Sequence, residues 1–133
     1  MHVPSDAFQG MSPEVKASQA LKNLFTMVAV RVVIAEEKAR ASADDVDGET
    51  STSRVLREFL KANPMRDGNE WLRAMVSRDD AETRIVALRL LEVRKAYADE
   101  EFDFERVRAV AIKELKDDND RLMSDYVKRS MGG

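Results

Sequence analysis

Side chains that could do chemistry are scarce in these 133 residues, and most of them are carboxylates. The one histidine, His2, stands at the N-terminal edge, and there is no cysteine. Ser-His triads, thiol nucleophiles, His-ligated zinc or di-iron sites and cysteine-held metals therefore have no raw material. Two acidic clusters carry the right atoms for a divalent cation. In Asp44, Asp45, Asp47 and Gly48, the alternating oxygen ligands and closing glutamate of a calcium loop are not at the required spacing. Asp117, Asp118 and Asp120 are followed by Arg121, in a chain too short to enclose a large substrate, so a solvated helical turn accounts for them. No glycine-rich loop presents a lysine to a phosphate. No catalytic residue, metal ligand or cofactor is assigned, and the chain is expected to be neither an enzyme nor a binder of small-molecule substrates.

One cation is oddly placed. Over 84–97, RIVALRLLEVRKAY, a period of 3.6 residues puts Ile85, Arg89, Val93 and Tyr97 in one row, with Leu88 and Ala96 alongside and Val86, Leu90 and Leu91 elsewhere. Such a helix is apolar on most sides and belongs at the centre of a structure. Arg89 lies inside the apolar row, where burying an unpaired charge costs several kcal/mol, roughly. It requires a partner. Glu92, three residues on, offers an intrahelical one; the other reading reserves Arg89 for a second chain.

The net charge of -3 and pI near 5.3 have the wrong sign for a ligand dominated by phosphate. No apolar run reaches membrane-spanning length, and the N-terminus has neither a signal-peptide core nor an Arg-rich character. No membrane or nucleic-acid partner is expected.

The elements follow from their caps. Residues 1–11 read as a flexible tail. Ser12, Pro13 and Glu14 start a first helix, which includes the apolar run 24–35, broken only by Thr26 and Arg31. Residues 41–50, ASADDVDGET, form an acidic loop. Ser51 to Ser53 cap a second helix with an apolar stripe of Val55, Leu56, Phe59 and Leu60, stopped by Asn63-Pro64. Asp67 and Glu70 resemble a capping box for a third helix burying Trp71, Leu72, Met75 and Val76. Asp79 and Glu82 repeat the signal. No glycine or proline occurs over 69–131, and no alternation marks a strand. A continuous helix over 80–130 would be about 75 Å long, roughly twice the ~35–40 Å breadth of a compact chain of this size. The spacing predicts both a break, at 99–103 or 116–120, and a second copy of the chain that covers the stripe of Phe104, Val107, Ala111, Leu115, Leu122 and Tyr126.

NLFTMVAVR at 23–31, ALRLLEVRKAY at 87–97 and RLMSDYV at 121–127, in that order and with the Asn63-Pro64 stop, resemble the RbcX family of Rubisco assembly chaperones in its eukaryotic plastid form. The match covers most of 12–127. The resemblance implies an all-α fold: a small four-helix bundle with a long, kinked C-terminal helix, in one domain over 12–130 with a tail at 131–133, paired into an arc-shaped homodimer through antiparallel fourth helices. It implies a central groove that holds the C-terminal peptide of the Rubisco large subunit extended, its aromatic side chains buried. By the resemblance, the groove positions are Ala20, Leu24, Met27, Met65 and Arg66, while Glu36 and Arg89 contact the body of the large subunit. The implied action is assembly of the large-subunit octamer before small subunits bind, without ATP or metal, in the chloroplast stroma. A transit peptide is expected to be absent from these residues.

The chain departs from the pattern at the groove. Cyanobacterial members carry tyrosines at the positions of Leu24 and Met27 and a threonine at that of Ala20, so hydroxyls that would bond a peptide are missing, while Met27 and Met65 keep an adaptable apolar wall. The acidic loop is also longer than usual. Two alternatives use the same helices: a general dimeric adaptor for an amphipathic helix of another client, and a DNA-binding dimer using Arg54, Arg57 and Lys61, which the acidic balance opposes.

Overall fold

The described chain begins at Ser12, the cap of a long helix. The computed structural model describes residues 12–42 and 48–132. The expected tail 1–11 with His2, the centre of the acidic loop with Asp44, Asp45 and Asp47, and Gly133 lie outside the described residues. Helix α1, Pro13–Arg40, starts as its sequence dictates: Ser12 Oγ accepts the Val15 N–H at 3.2 Å, Pro13 occupies the first position, and Glu14 sits in the first turn. By length and composition alone α1 could cross a membrane, more than its apolar run 24–35 suggested. It nevertheless packs as a core helix, burying Thr26, Ala29, Val30, Val33 and Glu37 on one side.

Of the next three caps, Asp67 stands where it was expected and the other two fall one residue away. Helix α2, Ser51–Ala62, is capped by Thr50, whose hydroxyl accepts the Ser53 N–H at 3.2 Å. The three following serine and threonine side chains lie inside the first turn, beyond the capping position. The helix ends at Asn63, before Pro64. Helix α3, Gly68–Val76, is capped by Asp67, which accepts the Glu70 N–H at 3.0 Å, while the Glu70 carboxylate turns to Arg73 at 3.0 Å. Helix α4, Ala81–Ala96, is capped by Asp80 rather than Asp79, because Asp80 accepts both the N–H of Thr83, at 3.0 Å, and its hydroxyl.

Within the span expected as one domain, contacts divide the chain into two compact units, Met1–Glu100 and Glu101–Gly133. In the first, α4 packs against α1, α2 and α3, and α1 also meets α2 and α3. Leu56, Met75, Leu90 and Val33 are wholly enclosed, each worth about 1.5–3 kcal/mol of burial. Phe59 and Trp71 meet edge to face at 5.3 Å, and Trp71 Nε1 donates to the Asn63 carbonyl at 2.8 Å, closing the turn between α2 and α3. Val76, expected in this core, stands 37% exposed at the end of α3.

Helix α4 buries a different face from the one its longest apolar row suggests. Thr83, Val86, Ala87 and Leu90 point inward, whereas Ile85 and Leu88 are 65% and 53% exposed. The helix stops where the acidic run begins. A π-helical turn, Tyr97–Glu101, follows it directly. Its Asp99, Glu100 and Glu101 would oppose the negative end of a helix dipole, and Asp103 then caps a fresh helix by accepting the Arg106 N–H at 3.0 Å. Of the two expected breaks, the one at 99–103 is present. Helix α5, Phe104–Met131, runs unbroken through 116–120 and takes in the first residue of the expected C-terminal tail. The fold is all-α, as expected, with the long C-terminal helix divided into α4 and α5.

Candidate functional site

On α1 the sequence places Ala20, Leu24 and Met27 one turn apart on one face. All three are exposed, Leu24 and Met27 at 43% each. This face adjoins the buried one, so neighbouring residues of the same turns look inward. Thr26 is fully buried, and its hydroxyl donates to the Lys22 carbonyl at 3.0 Å. Asn23 Oδ1 accepts the backbone N–H of Gly68 at 2.8 Å. That N–H is the first of α3, one of the donors a helix start leaves without an intrahelical partner. A side chain on α1 thus anchors the start of α3.

Met65 and Arg66 sit in the short turn just before that anchor. Met65 is partly buried against the core, and Arg66 is exposed. The turn cannot drift from α1, because Gly68, three residues beyond Met65, is held on it. A polar network from α4 strengthens the arrangement. Arg94 donates to Thr26 Oγ1 at 3.1 Å and to Asn69 Oδ1 at 2.7 Å, joining α4, α1 and α3 at one point. None of Asn23, Thr26, Gly68, Asn69 and Arg94 stands out in the sequence as a site residue. The Asp67 and Glu70 capping signal marks the helix start, but nothing in the spacing says what the residues between them would touch.

Glu36 and Arg89 are brought into direct contact. Arg89 donates to Glu36 at 2.6 Å and to Glu37 through its other terminal nitrogen. The partner of this cation is therefore a pair of glutamates on α1 rather than Glu92 on its own helix. The Glu37 side chain is 6% exposed, that of Arg89 24% and that of Glu36 48%, so the cluster runs from the core to the surface. The Arg89 hydrogen bond holds the Glu37 carboxyl below its ordinary range against the opposing effect of burial, with help from the Thr50 hydroxyl and Arg40; the two glutamates in turn raise Arg89. Glu37, which no spacing singled out, is the enclosed member. This cluster lies about 14 Å along α1 from Met27, at ~1.5 Å per residue.

The second unit offers a long apolar edge. No residue of α5 is buried within this chain. Phe104, Val107, Leu115, Leu122 and Tyr126 are each 46–72% exposed, far more contiguous apolar side chain than scattered surface residues require. Among the described residues no three His, Cys, Asp or Glu side chains are arranged to hold a metal ion, Asp117, Asp118 and Asp120 included.

An apolar strip on α1, a pinned turn beside it and an unburied helix face together define an all-helical protein that presents surface to other polypeptides. The chain belongs to the RbcX family, whose model matches residues 14–131, and this is a family of chaperones, not enzymes. It is 36% identical over 127 residues to the chaperonin-like RBCX protein 1, chloroplastic, of Arabidopsis thaliana, a match covering 96% of this chain and 67% of that protein. The solved RbcX1 structure from Arabidopsis superposes with a TM-score of 0.75 at 38% identity, covering 87% of this chain and 97% of that one. RbcX-IIa of Chlamydomonas reinhardtii, solved in complex with the RbcL C-terminal tail, gives a TM-score of 0.65 at 37% identity, covering 84% of this chain and 95% of that one.

Proposed function

We propose that this protein is an ATP-independent assembly chaperone that binds the C-terminal peptide of the Rubisco large subunit and promotes formation of the large-subunit octamer before small subunits bind. The observation that carries this reading is the exposed face of Ala20, Leu24 and Met27 beside the fixed Met65–Arg66 turn, in a chain 37% identical to a relative solved with that tail. An extended peptide has few internal contacts, so apolar pockets beside a rigid backbone supply both its affinity and its register. Glu36 and Arg89, at the surface end of the cluster, contact the body of the large subunit. Arg89 keeps its charge without free movement, since Glu37 holds it from below.

The working unit is a homodimer. The apolar edge of α5, unburied in one chain, supports this assignment. A dimer that engages two large subunits raises their effective concentration for each other, which favours assembly without nucleotide. The site of action is the chloroplast stroma, in line with the chloroplastic Arabidopsis relative.

The test is a fluorescence-anisotropy titration of a labelled RbcL C-terminal tail peptide against the full chain, with a scrambled peptide as control. Saturable binding of the true peptide alone, one per dimer, is the expected result. Equal binding of both peptides, or of neither, would overturn the reading.

A further inference from the structure

Helices α1 and α3 approach each other closely at Gly68. A Cβ built there would lie 2.6 Å from Thr26 Oγ1 and 2.8 Å from Thr26 Cβ, inside any tolerable contact. Thr26 is wholly buried, so it has no room to withdraw. Only a glycine lets the first turn of α3 seat on α1 at this depth. Two sets of hydrogen bonds hold it there: Asn23 from α1 to the Gly68 N–H at 2.8 Å, and Arg94 from α4 to both Thr26 at 3.1 Å and Asn69 at 2.7 Å. Thr26, Asn69 and Arg94 lie off the Ala20–Leu24–Met27 strip, whereas Asn23 adjoins it and spends its side-chain oxygen on the Gly68 N–H. All of them fix where the chain just before Gly68 runs.

That chain is the Met65–Arg66 turn. We infer that Asn23, Gly68 and Arg94 are positioning residues for the peptide-binding face, setting the distance between the Met65–Arg66 turn and the Leu24–Met27 strip without touching the ligand. The inference rests on the peptide-binding reading given above. Its physical basis is that the strip lies on α1 and the turn leads into α3, so the groove width follows the seating depth of one helix on the other. A close-packed interior gives little, so a contact with no room for a Cβ, backed by a charge-assisted hydrogen bond, holds that depth.

The full chain and three variants test this, with the labelled RbcL C-terminal tail peptide as probe. Arg94→Met keeps the aliphatic stem and removes both hydrogen bonds; Asn23→Ala frees the Gly68 N–H; Gly68→Ala wedges α3 away from Thr26. Arg73→Met, which removes only the exposed pair with Glu70, serves as control. Emission of Trp71, the only tryptophan, reports whether the interior of α3 stays packed. The expected result is a loss of tail affinity of about tenfold in Arg94→Met and Gly68→Ala, with unchanged Trp71 emission and unchanged affinity in the control. Arg94→Lys, able to reach one of the two acceptors, should recover part of the loss. The double variant Arg94→Met/Gly68→Ala should bind little worse than the poorer single one, because both act through one seating depth. Wild-type affinity in folded Arg94→Met and Asn23→Ala would overturn the inference, even were Gly68→Ala too strained to fold. A wild-type chain that ignores the tail peptide would instead overturn the functional reading beneath it.

Discussion

The Arg89 guanidinium of α4 donates to the Glu37 carboxylate of α1, 52 residues earlier in the chain, and this bond ties the two longest helices of the first unit together at the edge of the core. Glu37 is enclosed and Arg89 mostly so, while Glu36 completes the set at the surface. Charge is thus satisfied where an unpaired carboxylate would be costly.

Replacing Arg89 leaves Glu37 buried without its main partner. Arg89→Ala should lower unfolding free energy by on the order of 2 kcal/mol, short of the ~3–5 for a fully enclosed pair because a quarter of the arginine remains in water. Urea denaturation measures this. The double variant Arg89→Ala/Glu37→Gln should regain part of the loss, since the orphaned charge is gone. A double variant as unstable as the single one would mean that packing of the arginine stem, not charge, is what was lost.

Acid should act through the same group. Glu37 has a folded pKa below its unfolded value of about 4.3, so its protonation is resisted by the native state. Its contribution to stability is fully present above that unfolded value and disappears as pH falls through the folded pKa. The stability gap between wild type and Glu37→Gln should therefore be constant from neutral pH to about pH 5 and shrink below about pH 4. A gap independent of pH across that range would show that the carboxylate is not favoured in the folded protein.

Met27 tests the binding strip without disturbing the core. It is 43% exposed, so Met27→Asp should change stability by no more than about 0.5 kcal/mol while weakening tail-peptide binding at least tenfold, roughly. Anisotropy and a thermal melt on the same sample separate the two effects. Undiminished binding would place Met27 outside the groove.

Helix α5 should reveal where two copies of the chain meet. Leu115→Asp puts a carboxylate into the middle of an apolar edge in which Leu115 itself is 60% exposed. Sedimentation velocity of the full chain should show a dimer for wild type and a shift to monomer for the variant, with loss of α5 helicity by circular dichroism, because a helix with no buried face is marginal in water. A dimer equally tight in both would move the contact elsewhere.

The caps and the chain order were legible because they are local. Ser12, Asp67 and the Asn63-Pro64 stop each act over three or four residues, and the acidic run 99–103 broke the long helix for reasons visible in its composition. Where two capping residues stood side by side, as at Asp79 and Asp80, the pattern missed by one, since the choice fell to the residue that also accepts the Thr83 hydroxyl. The resemblance of three short segments was enough to point to the family.

The orientation of α4 was decided elsewhere. An apolar helix with hydrophobic side chains on most sides has no single inward face by periodicity, so packing against α1, α2 and α3 chose the Val86–Leu90 side and left Ile85 uncovered within the chain. The same choice turned Arg89 toward Glu36 and Glu37. Nothing in the sequence singles out glycine at 68, and only its approach to Thr26 shows why no larger residue fits there. Local sequence fixes what a turn of chain can do with its own neighbours; which distant side chain it meets depends on how several helices share one core, and no spacing along the chain encodes that directly.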